Sequence, residues 1–225
     1  LVLACRDGRG YYHWLYDVLP RLELVERAGW SLDDFDHVIV NGFYASYQVA
    51  TLGRFGINAD RVVSILKHDD LRFESAVVAT HPRDAGEIPM WVIDFLRDRF
   101  ATAVAGPQAK RIYVSRSRTD HGRPAGESEL EVGLRELGFE IPVLEDLSLE
   151  QKAGLFGGAR VVVGATGAGL GHVAFCQLGA TVIELDIRGE PAVELPGQCQ
   201  TMGLSYVRIA PDANGQIPIH AIETA

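Results

Sequence analysis

The run Val161–His172, V-V-V-G-A-T-G-A-G-L-G-H, restricts the fold of this chain more than any other stretch. Three β-branched residues in a row make a fully buried strand. The glycines after them form a turn too tight for side chains, and a helix follows, running to about Gln177 and ended by Gly179. Thr181–Leu185 (T-V-I-E-L) is the next buried strand. Strands joined by a crossover helix pair in parallel, and a parallel sheet needs cover on both faces.

The rest of the second half repeats this alternation. Arg111–Val114 is a short strand, and Glu127–Leu137 is a helix with Leu130, Leu134 and Leu137 on one side. Gly138 supplies its C-terminal stop. Phe139–Val143 reads as a strand. Ser148-Leu149-Glu150-Gln151 has the form of a capping box and opens another helix, a role that accounts for Gln151. Arg160–Val163 is the strand that enters the glycine loop.

The first half is α/β as well. His37–Val40, Arg61–Ile65 and Ser75–Ala79 are β-rich runs, while Tyr44–Phe55 and Pro89–Phe100 read as helices. Ala101–Lys110 is small, weakly periodic and carries Gly-Pro, which places a boundary there and gives two domains, 1–105 and 106–225. Near the start, Tyr11, Leu15, Val18, Leu22 and Val25 form a helical stripe across Tyr11–Ala28. Pro20 removes a backbone hydrogen bond, so a kink is expected near Tyr16–Pro20. His13, Asp17 and Arg21 step by four along another face of that helix.

Composition narrows the function. A chain of 225 residues with 47% hydrophobic content can bury a core in one large domain or two small ones. Its net charge of −9 excludes a general nucleic-acid binder, which needs a basic surface. A phosphate-bearing small molecule would be held by a few arginines and backbone N–H groups. No apolar run is long enough to span a membrane, which leaves peripheral association open. Cys5, Cys176 and Cys199 are widely spaced and without a CxxC, the usage of free thiols in a reducing, cytoplasmic compartment. There is no leader, and Leu1 opens directly into sequence typical of a protein interior, so part of the N-terminal fold is expected to be missing.

The glycine loop carries the chemistry. Unpaired N–H groups and the helix dipole favour an anion at the start of the helix, and missing side chains let a pyrophosphate approach. That assigns Gly167, Ala168, Gly169 and Leu170 to a phosphate cradle and Glu184, at the end of the next strand, to ribose hydroxyls. Arg116, Arg118 and Arg123 follow the first strand of this half, at the sheet edge where ligands of open α/β sheets bind. A guanidinium fork suits a diphosphate, though a solvated surface arginine is an alternative for each. A ligand-free strand–helix turn stays open, as does a nicotinamide-dependent oxidoreductase. Neither glycine spacing of the latter fits, because Leu170 and His172 occupy positions where its loops carry glycine.

Several blocks occur together in order: Y-Y-H-W-L-Y-D-V-L-P-R-L (Tyr11–Leu22), R-I-Y-V-S-R (Arg111–Arg116), G-F-E (Gly138–Glu140), L-S-L-E-Q-K-A-G-L-F (Leu147–Phe156), A-R-V-V-V-G-A-T-G-A-G-L (Ala159–Leu170) and F-C-Q-L-G-A-T-V-I-E-L (Phe175–Leu185). In this the chain resembles glycosyltransferase family 61, the capsular-polysaccharide type related to eukaryotic xylosyl- and N-acetylglucosaminyltransferases. The resemblance implies a GT-B-like architecture: two Rossmann-like parallel-sheet domains facing a cleft. It implies inversion at the anomeric carbon, a UDP-sugar donor, a glycan acceptor, no obligatory metal or other cofactor, and a bacterial setting. The chain departs from the family pattern at Thr166, where the family carries His, at His172, where Asn is usual, and at Gly126-Glu127, where Asn-Glu is usual. These departures bear on donor preference. They also keep a non-catalytic nucleotide-sugar module in view.

An inverting transfer needs a base for the acceptor hydroxyl, and a carboxylate or a carboxylate-held histidine serves at neutral pH. Asp17 and His13 are the candidates, against the alternative of an ordinary surface network at helical spacing. Trp14 is expected in the core, and His68-Asp69-Asp70 and His81-Pro82 are read as polar loops.

Overall fold

The computed structural model describes residues 1–68, 70–84, 86–101, 110–119, 122–189 and 194–225. The chain packs as two compact units, Leu1–Ala85 and Gly86–Ala225. Most of the expected boundary segment, residues 102–109, lies outside the described residues, as does Asp69.

In the first unit the helical stripe is divided as Pro20 requires. An α-helical turn, α1 (Tyr11–His13), leads into a π-helical turn, Trp14–Val18, and then into α2 (Pro20–Arg27). The N–H of Leu19 reaches back to the Trp14 carbonyl at 3.0 Å, the wide spacing of a π turn. Pro20 then opens α2, where its missing N–H costs nothing. Strand β1 (Val38–Val40), helix α3 (Ser46–Gly53) and strand β2 (Val62–Ser64) follow, with β1 and β2 parallel. The expected strand at Ser75–Ala79 contributes a single bridge, Val78 to Val2. The sequence did not point to Leu1–Ala4 as extended, yet Val2 bridges Ile39 as well, so this segment lies between β1 and Val78. Trp14 is fully buried and donates its Nε1–H to Thr51 Oγ1 at 2.9 Å, which makes it a core residue.

The second unit is a four-stranded parallel sheet, ordered β3 (Lys110–Val114), β4 (Ala159–Ala165), β5 (Thr181–Leu185), β6 (Ser205–Ile209). One face packs Tyr113, Val163, Ile183, Leu185 and Ile209 against Leu130 and Leu134 of α5 (Glu127–Glu136) and Ile222 of α8 (Ile219–Glu223). Against the other face lie α6 (Leu149–Gly157) and a 3-10 helix, Ala168–Phe175. The helices α4 (Met90–Phe100) and α7 (Glu194–Met202) pack on that 3-10 helix. Helix α4 therefore belongs with the second unit. Ser148 opens α6 through the capping box: its Oγ accepts from the Gln151 N–H at 3.2 Å, and Gln151 Oε1 accepts from the Ser148 N–H at 2.8 Å. The expected strand Phe139–Val143 shrinks to one bridge, Glu140 to Ile112, because Pro142 has no N–H to continue a ladder. The thiols of Cys176 and Cys199 are pushed up to about 12 by burial and are inert.

Candidate active site

Strand β4 delivers the chain to the C-terminal edge of the sheet, where Thr166 is fastened to its neighbour. Its N–H and its Oγ1 both donate to the Leu185 carbonyl, at 3.1 and 3.3 Å. Gly167 then takes φ 156° and ψ −177°, a conformation that side chains rarely adopt, and Ala168 begins the 3-10 helix. An ordinary α-helix was expected at this point. A Cβ on Gly169 would lie 2.7 Å from Val114 Cγ1, and one on Gly164 would lie 3.0 Å from both Val114 and Leu170. The glycines thus let the narrow helix rest directly on β3, which fixes where its first N–H groups stand. At the far end Arg97 donates to the carbonyls of Ala174 and Cys176 at 2.7 and 2.6 Å, a cation on the negative end of the helix.

Arg116 lies over this loop. Its Nη1 donates to the Thr166 carbonyl at 2.8 Å, and a Cβ on Gly167 would come within 2.2 Å of that nitrogen. A Cβ on Gly122 would meet the guanidinium carbon at 3.1 Å, so two glycines flank the group. Its Nε is buried and, among the described residues, has no hydrogen-bond partner. Burial lowers the Arg116 pKa, and the charge of Arg188 lowers it further. The residue that aims Arg116 is Glu127, at the start of α5. Glu127 Oε1 accepts the Arg116 backbone N–H at 2.7 Å and the Tyr113 hydroxyl at 3.0 Å. Burial and this carboxylate push the Tyr113 hydroxyl above its ordinary range, so it stays a donor. Glu127 was legible only as part of a departure from the family pattern. The signal that identifies it is an acidic residue in the first turn of a helix beside the Tyr-Val-Ser-Arg run.

The other expected contacts are distributed differently. Arg118 makes a two-pronged, exposed pair with Asp146 at 2.9 and 3.1 Å. Arg123 is drawn to Glu127 Oε2 at 3.0 Å, on the far side of the same carboxylate. Glu184 is buried in β5 and accepts the Tyr206 hydroxyl. Two residues on, the nearly buried Asp186 caps the turn after β5 through the N–H groups of Arg188 and Gly189, at 3.2 and 2.9 Å, and pairs with Arg208. Arg188 escaped the sequence reading, because nothing local distinguishes it from a surface arginine.

His172 is buried, holds the Gly169 carbonyl through Nδ1 at 2.8 Å and lies against Phe156. Burial, with Lys152 nearby, lowers its pKa to about 3. An unfolded histidine binds its proton near pH 6.5, so below that value protons favour the unfolded chain. Stability tied to His172 is complete above about pH 6.5 and declines as pH falls towards about 3. A His172→Gln variant is expected to flatten that part of the stability–pH curve, removing a slope of up to about 1.4 kcal/mol per pH unit. Urea unfolding at several pH values measures it; an unchanged slope would contradict a proton-free His172.

The first unit carries its own polar cluster. The wide turn before Pro20 brings Asp17 beneath His13, whose Nδ1 lies 2.6 Å from Asp17 Oδ2. The carboxylate accepts, so Nδ1 is the donor, and in the neutral imidazole that leaves Nε2 as the nitrogen with a lone pair. The Asp17 side chain is 1% exposed and that of His13 33%. Arg83 closes on Asp17 from the opposite side, Nε to Oδ1 at 2.6 Å and Nη2 to Oδ2 at 3.1 Å, and also lies over the Tyr12 ring. His81 Nδ1 stands 3.9 Å from Asp17 Oδ1, so the His81-Pro82 segment is part of this cluster. Arg21 is buried but turned to the Ala4 carbonyl at 3.4 Å. Among the described residues no group of three or more His, Cys, Asp or Glu side chains is arranged to hold a metal ion.

A glycine loop with an arginine laid across it, at the C-terminal edge of a parallel sheet, is the place where open α/β proteins bind their ligands. The family description "Glycosyltransferase 61" matches residues 11–183, and the chain belongs to that glycosyltransferase family. No curated protein matches the chain. No helix among the described residues is long and apolar enough to cross a membrane.

Proposed function

We propose that this chain moves a sugar from a nucleoside diphosphate sugar, a UDP-sugar, to a hydroxyl of a glycan, with inversion at the anomeric carbon. The observation that carries this reading is the Arg116 guanidinium lying against Gly167 and donating to the Thr166 carbonyl at 2.8 Å, at the first turn of the 3-10 helix. The leaving diphosphate gathers negative charge as the glycosidic bond breaks. A fixed guanidinium and the N–H groups of Ala168 and Gly169 stabilise that charge, the task a divalent cation performs in other transferases; the Leu170 N–H, expected to join them, is already held by the Gly167 carbonyl at 3.1 Å. Glu184 is the candidate for the ribose, which would take the place of the Tyr206 hydroxyl on its carboxylate. Arg123 is a candidate at the rim.

His13 is the proposed general base. Asp17 holds its Nδ1–H, leaving Nε2 to take the acceptor proton, while Asp17 is too deeply buried and too fully paired to meet an acceptor itself. The two units serve as the two halves of a GT-B-type enzyme, donor on the second and base on the first. Capsular polysaccharide synthesis in the cytoplasm, by a hexosyl- or pentosyltransferase, is the setting that the family resemblance supports.

The test is a thermal-shift screen over UDP-, GDP-, CMP- and dTDP-sugars with NADH as a control, followed by NMR of the anomeric proton of the product. A UDP-sugar is expected to raise Tm by mass action and to give the inverted anomer. Stabilisation by NADH alone would favour an oxidoreductase, and binding of UDP without hydrolysis or transfer of any UDP-sugar would favour a non-catalytic module.

A further inference from the structure

Among the described residues, neither of two guanidinium groups at the rim of the donor loop has a carboxylate of its own. Arg116 spends Nη1 on a carbonyl, and its buried Nε has no hydrogen-bond partner among them. Arg188 has its backbone fixed by Asp186, yet the Asp186 carboxylate is occupied by two turn N–H groups and by Arg208. Among the described residues no ion pair reaches the side chain of Arg188, which is exposed.

The connectivity brings both groups to the same edge of the sheet. Thr166, which receives Arg116, is bonded to Leu185, and Leu185 precedes the Asp186 turn that carries Arg188. The charge of Arg188 is felt at Arg116, where it adds to burial in lowering the pKa. Two like charges held near each other repel, and an anion between them relieves that repulsion. A single phosphoryl group can face one of these cations. A diphosphate carries charge on two linked phosphoryl groups and can face both.

We infer that Arg188 is a second diphosphate-binding residue, set by the Asp186 turn to face the phosphoryl group that Arg116 does not hold, and that it selects nucleoside diphosphate donors over nucleoside monophosphate donors. This rests on the donor-site reading given above. The bonds are charge-assisted and bidentate in kind, so Arg188→Lys keeps part of the effect and Arg188→Ala loses it.

Calorimetric titration of UDP and UMP into wild type, Arg188→Ala and Arg188→Lys decides the matter. Wild type is expected to bind UDP at least about tenfold more tightly than UMP. In Arg188→Ala the UDP affinity should fall by about tenfold or more while UMP affinity stays within about twofold, and the preference for UDP should weaken at high salt in wild type alone. If wild type prefers UDP and Arg188→Ala prefers it equally, the role of Arg188 is refuted and the donor reading stands. If wild type binds neither UDP nor GDP, dTDP or CDP, both fall together. Arg188 lies on an exposed turn, and matching thermal unfolding of the variants confirms that they are folded.

Discussion

His13→Ala is expected to lower kcat by about 10²- to 10⁴-fold while the affinity for UDP stays unchanged. The magnitude is that of a positioned proton acceptor, and the unchanged affinity follows because the residue belongs to the unit without the donor loop. Its side chain is one-third exposed, so truncation leaves no large cavity. Asp17 is a different matter. It is buried under Arg83, and Asp17→Asn strips that guanidinium of its countercharge, so stability falls together with kcat, by about 3–5 kcal/mol for a buried pair broken on one side. The informative comparison is the double variant. If Asp17 works by orienting His13, then Asp17→Asn in a His13→Ala background costs stability but no further kcat. A His13→Ala enzyme with wild-type kcat would end the assignment of the base.

Much of the fold was readable because its strands are buried on both faces. Val161–Val163 is a continuous apolar run and Thr181–Leu185 a β-branched one interrupted by Glu184, and such runs favour parallel pairing. The signal failed where a segment's structure depends on distant partners. Leu1–Ala4 is extended only because β1 and Val78 flank it, and Phe139–Val143 loses its ladder to a single proline. Helix α7 contains Pro196 and Gly197 and β6 (S-Y-V-R-I) mixes polar with apolar residues without a period, so the sheet's last layer carried no strong local pattern.

For the site, residue type and position pointed to Arg116 and to the pair His13 and Asp17. What spacing did not contain were the residues that arrive from elsewhere in the sequence: Arg83, 66 positions beyond Asp17, and Glu127, 11 beyond Arg116. Arg118 follows the same strand as Arg116, and its side chain turns away to an exposed pair with Asp146.

The second large effect is expected at Gly167. Alanine there meets two costs at once. The backbone is held at φ 156°, so a Cβ introduces strain of about 1–3 kcal/mol. That Cβ would also stand 2.2 Å from Arg116 Nη1, closer than any real contact, and the guanidinium must leave the Thr166 carbonyl. A displaced Arg116 no longer faces the diphosphate, and the loss of one or two charge-assisted bonds at about 1.5 kcal/mol or more each lowers UDP affinity by about 10- to 100-fold. The two costs can be separated. Gly179 also has a positive φ, 80°, but a Cβ there meets nothing within 4 Å, so Gly179→Ala reproduces backbone strain without touching an arginine. Gly179→Ala should lose stability and keep UDP affinity, whereas Gly167→Ala should lose both. Arg116→Ala should match the affinity loss of Gly167→Ala, and the double variant should bind no more weakly than either single one, because each removes the same contact. Additive losses in the double variant would mean that Gly167 acts on the nucleotide by a route other than the guanidinium lying across it.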